Sequence, residues 1–144
     1  MKNVLFAVAM SIACGGSFAA EHRVKMLNAG ADGSMVFEPG FLQVAKGDTV
    51  KFIKIDAAHN TASAVVPAGA AGWKGKPDEE VSVTLNQEGV YVYVCDPHKV
   101  MAMAGVIQVG KAVNLADAQK QADSLSKSFV VNKDRLSKYM AQVK

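Results

Sequence analysis

The most constraining stretch of this chain is Val90-Tyr91-Val92-Tyr93-Val94-Cys95, which is apolar on both faces and follows the turn-rich Asn86 to Gly89. A strand with no polar side must be covered from two directions, so it predicts the centre of a layered β structure. Around it, from Glu21 to Gly110, turn chemistry recurs at intervals of about ten residues and no helical period lasts three turns. Val24, Met26 and Asn28 alternate with Arg23, Lys25 and Leu27; Phe41 to Ala45 follows Glu38-Pro39-Gly40; Thr49 to Ile55 follows Lys46-Gly47-Asp48; Val81, Val83 and Leu85 alternate with polar residues; Gly105 to Val109 closes the set. The expected fold class is an all-β Greek-key sandwich of about eight strands over residues 20–110. Beyond Gly110 the period changes. Leu115, Ala118, Ala122 and Leu125 fall at helical spacing behind a capping Asn114, and Leu136, Tyr139, Met140 and Val143 form a second stripe. Residues 111–144 are thus expected to form two amphipathic α-helices packed on the sandwich, with their basic residues on solvated outer faces.

With 144 residues, half of them hydrophobic, the chain has enough apolar content for one core and is too apolar to be disordered. No basic run is interleaved with aromatics and the net charge is only +3, which argues against nucleic acid as a partner. No apolar run after the first 20 positions is long enough to span a bilayer, so no membrane insertion is expected. Lys2, the apolar Val4 to Ala13 and the small residues through Ala20 follow the order of a cleaved secretory signal. Cleavage after Ala19 places Ser17 and Ala19 at the two positions that must be small; cleavage after Ala20 would place Phe18 at one of them. Residues 1–19 are therefore read as a signal peptide and the destination as the periplasm. His22, beside the new terminus, is expected on the surface.

Removal of the signal takes Cys14 with it and leaves Cys95 as a single cysteine. In an oxidising compartment a lone thiol must be buried or occupied. Cys95-Asp96-Pro97-His98-Lys99-Val100-Met101-Ala102-Met103 gathers a thiol, an imidazole and two thioethers in one loop, and His59 is the nitrogen donor best placed to complete the set. Thiolate, two imidazoles and a weak thioether make the donor set of a blue-copper electron-transfer site. A thiolate couples strongly to the metal, imidazole suits both oxidation states, and a long soft thioether demands little rearrangement between them. Either Met101 or Met103 meets the spacing requirement. A cysteine hydrolase is disfavoured because Pro97 removes a backbone donor where an oxyanion would need one. Structural zinc would want a second thiolate or a carboxylate in place of the thioether. Copper storage or delivery is the alternative function, and one thiolate at a stiff strand end suits it less than electron transfer.

The C-x2-H-x4-M spacing with the upstream His59-Asn60 pair resembles the ligand pattern of small cupredoxins. The chain is most similar to the pseudoazurin family, at Met26-Leu27-Asn28, Met35-Val36-Phe37-Glu38-Pro39, Gly47-Asp48-Thr49-Val50, His59-Asn60, Cys95-Asp96-Pro97-His98 and Met101-Ala102-Met103. The resemblance covers essentially the whole mature chain, the two C-terminal helices included. It implies a cupredoxin-like fold and one copper ion held by His59, Cys95, His98 and Met103. It also implies a monomer that carries single electrons from a c-type cytochrome to a copper nitrite reductase or a related denitrification reductase. Asn60 resembles the residue that ties the two ligand loops together, with Asp96 where Thr or Ser is usual and Pro97 beside it; the Asp96 charge is expected to favour the oxidised state. Met35, Pro97 and Met101 resemble an apolar docking patch around the edge of His98. Ala29 and Ala57 stand where lysines are usual, so Lys74, Lys76 and Lys99 remain to steer partners.

Overall fold

The computed structural model describes residues 19–144; the signal-peptide reading of residues 1–19 falls almost wholly outside them. Eight strands form two sheets. The first contains β1 (Glu21–Gly30), β2 (Gly33–Glu38), β4 (Thr49–Lys54) and β6 (Val81–Thr84), in the order β2-β1-β4-β6. The second contains β3 (Phe41–Val44), β5 (Ala62–Val65), β7 (Gly89–Val94) and β8 (Ala104–Val109), in the order β3-β8-β7-β5. The β1–β4 and β3–β8 pairs are parallel and the others antiparallel, so the chain crosses between sheets as a Greek-key sandwich requires. Two helices follow, α1 (Leu115–Ser126) and α2 (Arg135–Met140).

The central strand is apolar on both faces because it separates two cores. Tyr91 and Tyr93 point into the space between the sheets, beside Val24, Met26, Phe37, Phe52 and Ile107. Val90, Val92 and Val94 point outward, and there Ala118, Ala122, Phe129, Leu136 and Met140 cover them. Each large apolar side chain buried this way stabilises the fold by about 1.5–3 kcal/mol, which is why the helices cannot be a detachable appendage. The alternation carries one residue past the strand, so Cys95 continues the inward series and lies in the inter-sheet core. Below it Tyr93 is fixed by edge-on contacts with Phe37 and Phe52, at centroid distances of 4.8 and 4.9 Å.

Three expectations are corrected. Asn114 makes no cap: its side chain accepts from the Val90 N–H at 2.7 Å and donates to the Val90 carbonyl at 3.0 Å. It serves as a bridge between the end of one sheet and α1, a long-range role that outcompetes local capping. The cationic residues of the C-terminal segment do not all face solvent, since Arg135 is buried. His22 is a partly buried residue, its Nε2 2.8 Å from Asp48 Oδ2. Strands β2 and β5 carry too little alternation to be read from sequence; their partners in the sheets define them.

Candidate metal centre

The loop from Cys95 to Met103 is a closed extension of the β7–β8 hairpin. The last register pair of the two strands is Val94 with Ala104, and beyond it the Cys95 N–H donates to the Met103 carbonyl at 2.9 Å. Within the loop the His98 N–H donates to Cys95 and the Met101 N–H to His98, and a single 3-10 turn spans Lys99–Met101. Ala102 then takes a left-handed conformation, φ 61°, that turns the chain back into β8. Met103, like Cys95, is fully buried in the inter-sheet core.

His59 reaches the same place from the other end of the sequence. After β4 the chain passes through an exposed turn that ends at left-handed Ala58, whose N–H is held by the Asp78 carboxylate, and the His59 carbonyl accepts from the Asp78 N–H at 2.7 Å. The His59 ring is completely buried, with Nε2 3.0 Å from Asn28 Oδ1. An amide oxygen can only accept, so Nε2 carries the proton and Nδ1 is left with a lone pair. That lone pair faces His98 Nδ1 at 3.1 Å and Cys95 Sγ at 3.8 Å, and Sγ lies 3.5 Å from His98 Nδ1. With the His59 lone pair, His98 Nδ1 and a sulfur this close, a proton or a cation must lie between them. All three ligand atoms lie within 4.8 Å of one another, a spacing that suits one metal ion.

The protein surroundings are tuned to neutral donors. Burial holds His59 below the ordinary imidazole range, with the nearby His98 adding to the effect. Burial also pushes the Cys95 thiol up, against an opposing pull from the backbone N–H groups of Asn60 and His98. Of the three donors only His98 reaches the surface, being half-buried while His59 and Cys95 are enclosed. Asn60 is itself buried; its Nδ2 donates to the Gly75 carbonyl and to Asp96 Oδ2, each at 3.0 Å, and its Oδ1 accepts from the Asp96 N–H at 2.7 Å. Asp96 also lies 3.3 Å from Lys74 Nζ, and Asn60 and Lys74 together hold its carboxyl below the usual range.

The surface residues named from sequence divide. Met35 and Met101 are half-buried and Pro97 is exposed; Met35 lies in β2, and Pro97 and Met101 lie in the loop from Cys95 to Met103. Lys74 and Lys76 are exposed and Lys99 is partly buried; Lys74 is already paired with Asp96 and is not a free charge. Two contributors escaped the sequence reasoning. Asn28 entered the sequence reading only as a position of the alternating first strand and within a likeness to relatives, and nothing local tells that it orients His59. Arg135 carried no signal at all, because its contacts lie as far as 103 residues away in sequence.

A buried cysteine and two imidazoles at one end of a two-sheet Greek-key sandwich, with a buried methionine at the end of the same loop, define a cupredoxin. The family model of copper binding proteins of the plastocyanin/azurin family matches residues 24–110. A protein of Rhizobium leguminosarum bv. viciae that carries the pseudoazurin name is 48 % identical over 111 residues, covering 75 % of this chain and 73 % of its own. The pseudoazurin of Paracoccus pantotrophus is 38 % identical over 128 residues, covering 88 % and 86 %. The crystal structure of native pseudoazurin from Hyphomicrobium denitrificans superposes with a TM-score of 0.73 at 41 % identity, covering 86 % of this chain and 98 % of that one. The chain belongs to the plastocyanin/azurin family of copper-binding proteins and, within it, to the pseudoazurins. It is a blue copper electron-transfer protein and not an enzyme.

Proposed function

We propose that copper is held by His59 Nδ1, Cys95 Sγ, His98 Nδ1 and the Met103 thioether, and that single electrons enter and leave through the exposed edge of His98. The observation that carries this reading is the convergence of Sγ and two Nδ1 atoms in a pocket from which only the His98 ring reaches solvent. Copper, when bound, supplies a one-electron Cu(II)/Cu(I) couple. The chain supplies the rest. Asn28 fixes the tautomer of His59, the Cys95 N–H to Met103 carbonyl bond fixes the span of the loop, and the Asn60–Asp96 pair fixes one ligand loop against the other. Donors held this firmly in either oxidation state keep the rearrangement on electron transfer small.

The apolar residues Met35, Pro97 and Met101 are suited to a brief, partly desolvated contact with a redox partner, steered by Lys76 and Lys99, the Lys74 charge being committed to Asp96. The partners that fit are a copper nitrite reductase or related denitrification reductase as acceptor and a c-type cytochrome as donor. The protein works as a monomer in the periplasm after loss of residues 1–19, with 20–110 as the copper-binding sandwich and 111–144 as its helical cover. Among the described residues no helix is long and apolar enough to cross a membrane.

The test is the visible spectrum of the exported protein loaded with one equivalent of Cu(II). An intense thiolate-to-copper band is expected, bleached by ascorbate, restored by oxidation and lost in Cys95→Ala. A colourless protein that takes up only Cu(I) would instead assign it to copper delivery. The mass of the exported chain checks the processing, with Ala20 expected as its first residue.

A further inference from the structure

Of the two cationic side chains on α2, Lys138 stays in solvent and Arg135 is buried, with 4 % of its surface exposed. No ion pair among the described residues includes Arg135. Backbone carbonyls surround its guanidinium instead. Nη2 donates to Asp32 at 3.0 Å and to Ser34 at 2.9 Å in the β1–β2 hairpin. Nη1 donates to Met35 at 2.8 Å and to Ala102 at 3.0 Å, with the Met101 carbonyl at 3.5 Å.

The two carbonyls that Nη1 grips belong to residues of the same unusual kind. Met35 and Ala102 both have positive φ, 49° and 61°, a region that side chains with a Cβ enter only when their surroundings hold them there. Ala102 is the residue immediately before Met103, and Met35 is the apolar residue of the β2 end of the docking face. The planar fork lets Nη1 span Met35 and Ala102 while Nη2 holds Asp32 and Ser34, whereas an ammonium has three donors on one nitrogen and cannot satisfy all four carbonyls in those positions.

We infer that Arg135 is a positioning residue of the metal centre: by holding Ala102 and Met35 in left-handed conformations it sets how Met103 enters the site and how Met35 lies beside it. The C-terminal helices are therefore part of the electron-transfer machinery as well as a cover for the outer sheet face. The inference rests on the assignment of Met103 as the axial ligand, and the test separates the two.

Copper-loaded Arg135→Lys, Tyr139→Phe and Met103→Leu are compared with the unaltered protein. The readouts are the relative intensity of the two thiolate-to-copper bands, the reduction potential, the rate of Cu(I) loss to a chelator and the urea midpoint. Arg135→Lys is expected to move the band ratio in the direction of Met103→Leu with smaller amplitude, and to speed Cu(I) loss about ten-fold. Tyr139→Phe removes a 2.7 Å bond from the same helix to Asp32 Oδ2 without touching the ligand loop. It should lower the urea midpoint and leave band ratio and potential unchanged, which separates positioning from mere stabilisation. A folded Arg135→Lys with unaltered band ratio and potential overturns the inference while leaving the ligand set intact. An unaltered spectrum in Met103→Leu overturns the ligand set and this inference with it. Should Arg135→Lys not fold, the unaltered Cu(I) protein decides by NMR: scalar coupling from Arg135 Nη1 to the carbonyl carbons of Met35 and Ala102 supports the clamp, and its absence at both overturns it.

Discussion

Asn60 and Asp96 hold each other by two hydrogen bonds that run in opposite directions, the Asn60 amide donating to the Asp96 carboxylate at 3.0 Å and the Asp96 N–H donating to the Asn60 carbonyl at 2.7 Å. Each residue is the immediate neighbour of a metal donor, His59 and Cys95 respectively, so the pair sets the distance between two ligand loops that are 36 residues apart. Asp96 thereby ties the two loops together, and its charge is shared with Lys74.

Removing the Asn60 side chain leaves the Gly75 carbonyl and the Asp96 N–H without their partner. Asn60→Ala should therefore destabilise the protein by about 1–3 kcal/mol and perturb the thiolate-to-copper band. Urea unfolding of the metal-free protein and the spectrum of the copper-loaded one check the two halves separately.

Asp96→Asn keeps the shape of the pair and removes its charge. Loss of a negative charge beside the metal favours the reduced form, so the reduction potential should rise. The stability lost with the Lys74 contact should stay below about 1 kcal/mol, because both side chains are largely solvated. A redox titration of both proteins in the same buffer is the check; a fall in potential would contradict the argument.

Asp48 ties the chain before β1, His22 of β1 and the turn before β4 together. The Ala20 N–H, the His22 side chain and the Ala45 N–H all bind its carboxylate and hold its pKa down to about 2 from 3.8. A carboxyl with a lower pKa in the folded state contributes stability that is full above the unfolded value and is lost as pH falls through the folded one. The window is therefore pH 4 down to 2. Urea midpoints measured across it should fall less steeply for Asp48→Asn than for the unaltered protein.

Tyr93 and Gly105 are matched in the β7–β8 pair. A Cβ on Gly105 would stand 2.3 Å from the Tyr93 ring and hydroxyl, which the close aromatic packing cannot absorb. Gly105→Ala should cost about 1–3 kcal/mol by overpacking. The Tyr93 hydroxyl is the one buried side-chain polar atom among the described residues without a hydrogen-bond partner. Tyr93→Phe is accordingly expected to be neutral or to raise the thermal midpoint, since it removes a desolvated hydroxyl and keeps the ring.

Met101 and Met103 separate contact from ligation. Met101→Leu should preserve the copper spectrum and alter the rate of electron exchange with a protein partner, whereas Met103→Leu should alter the spectrum itself. Stopped-flow reduction at two ionic strengths, run beside the absorption spectra, distinguishes them.

The sequence by itself determined those parts of this protein whose physics is local. The apolar character of both faces of Val90 to Cys95 decided that this strand lies at the centre of a layered structure, and the spacing from Cys95 to Met103 decided that one short loop carries most of the donors. The change of period after Gly110 announced two helices. Tertiary structure alone decided what meets across long separations: that Asn28 sets the tautomer of His59, that Asn114 bridges to Val90 instead of capping α1, that His22 pairs with Asp48, and that Arg135 grips Met35 and Ala102. These contacts have no period along the chain. They arise from the order in which strands enter two sheets, and a polar side chain carried into the interior by that order must bond whatever carbonyl, carboxylate or ring it finds there.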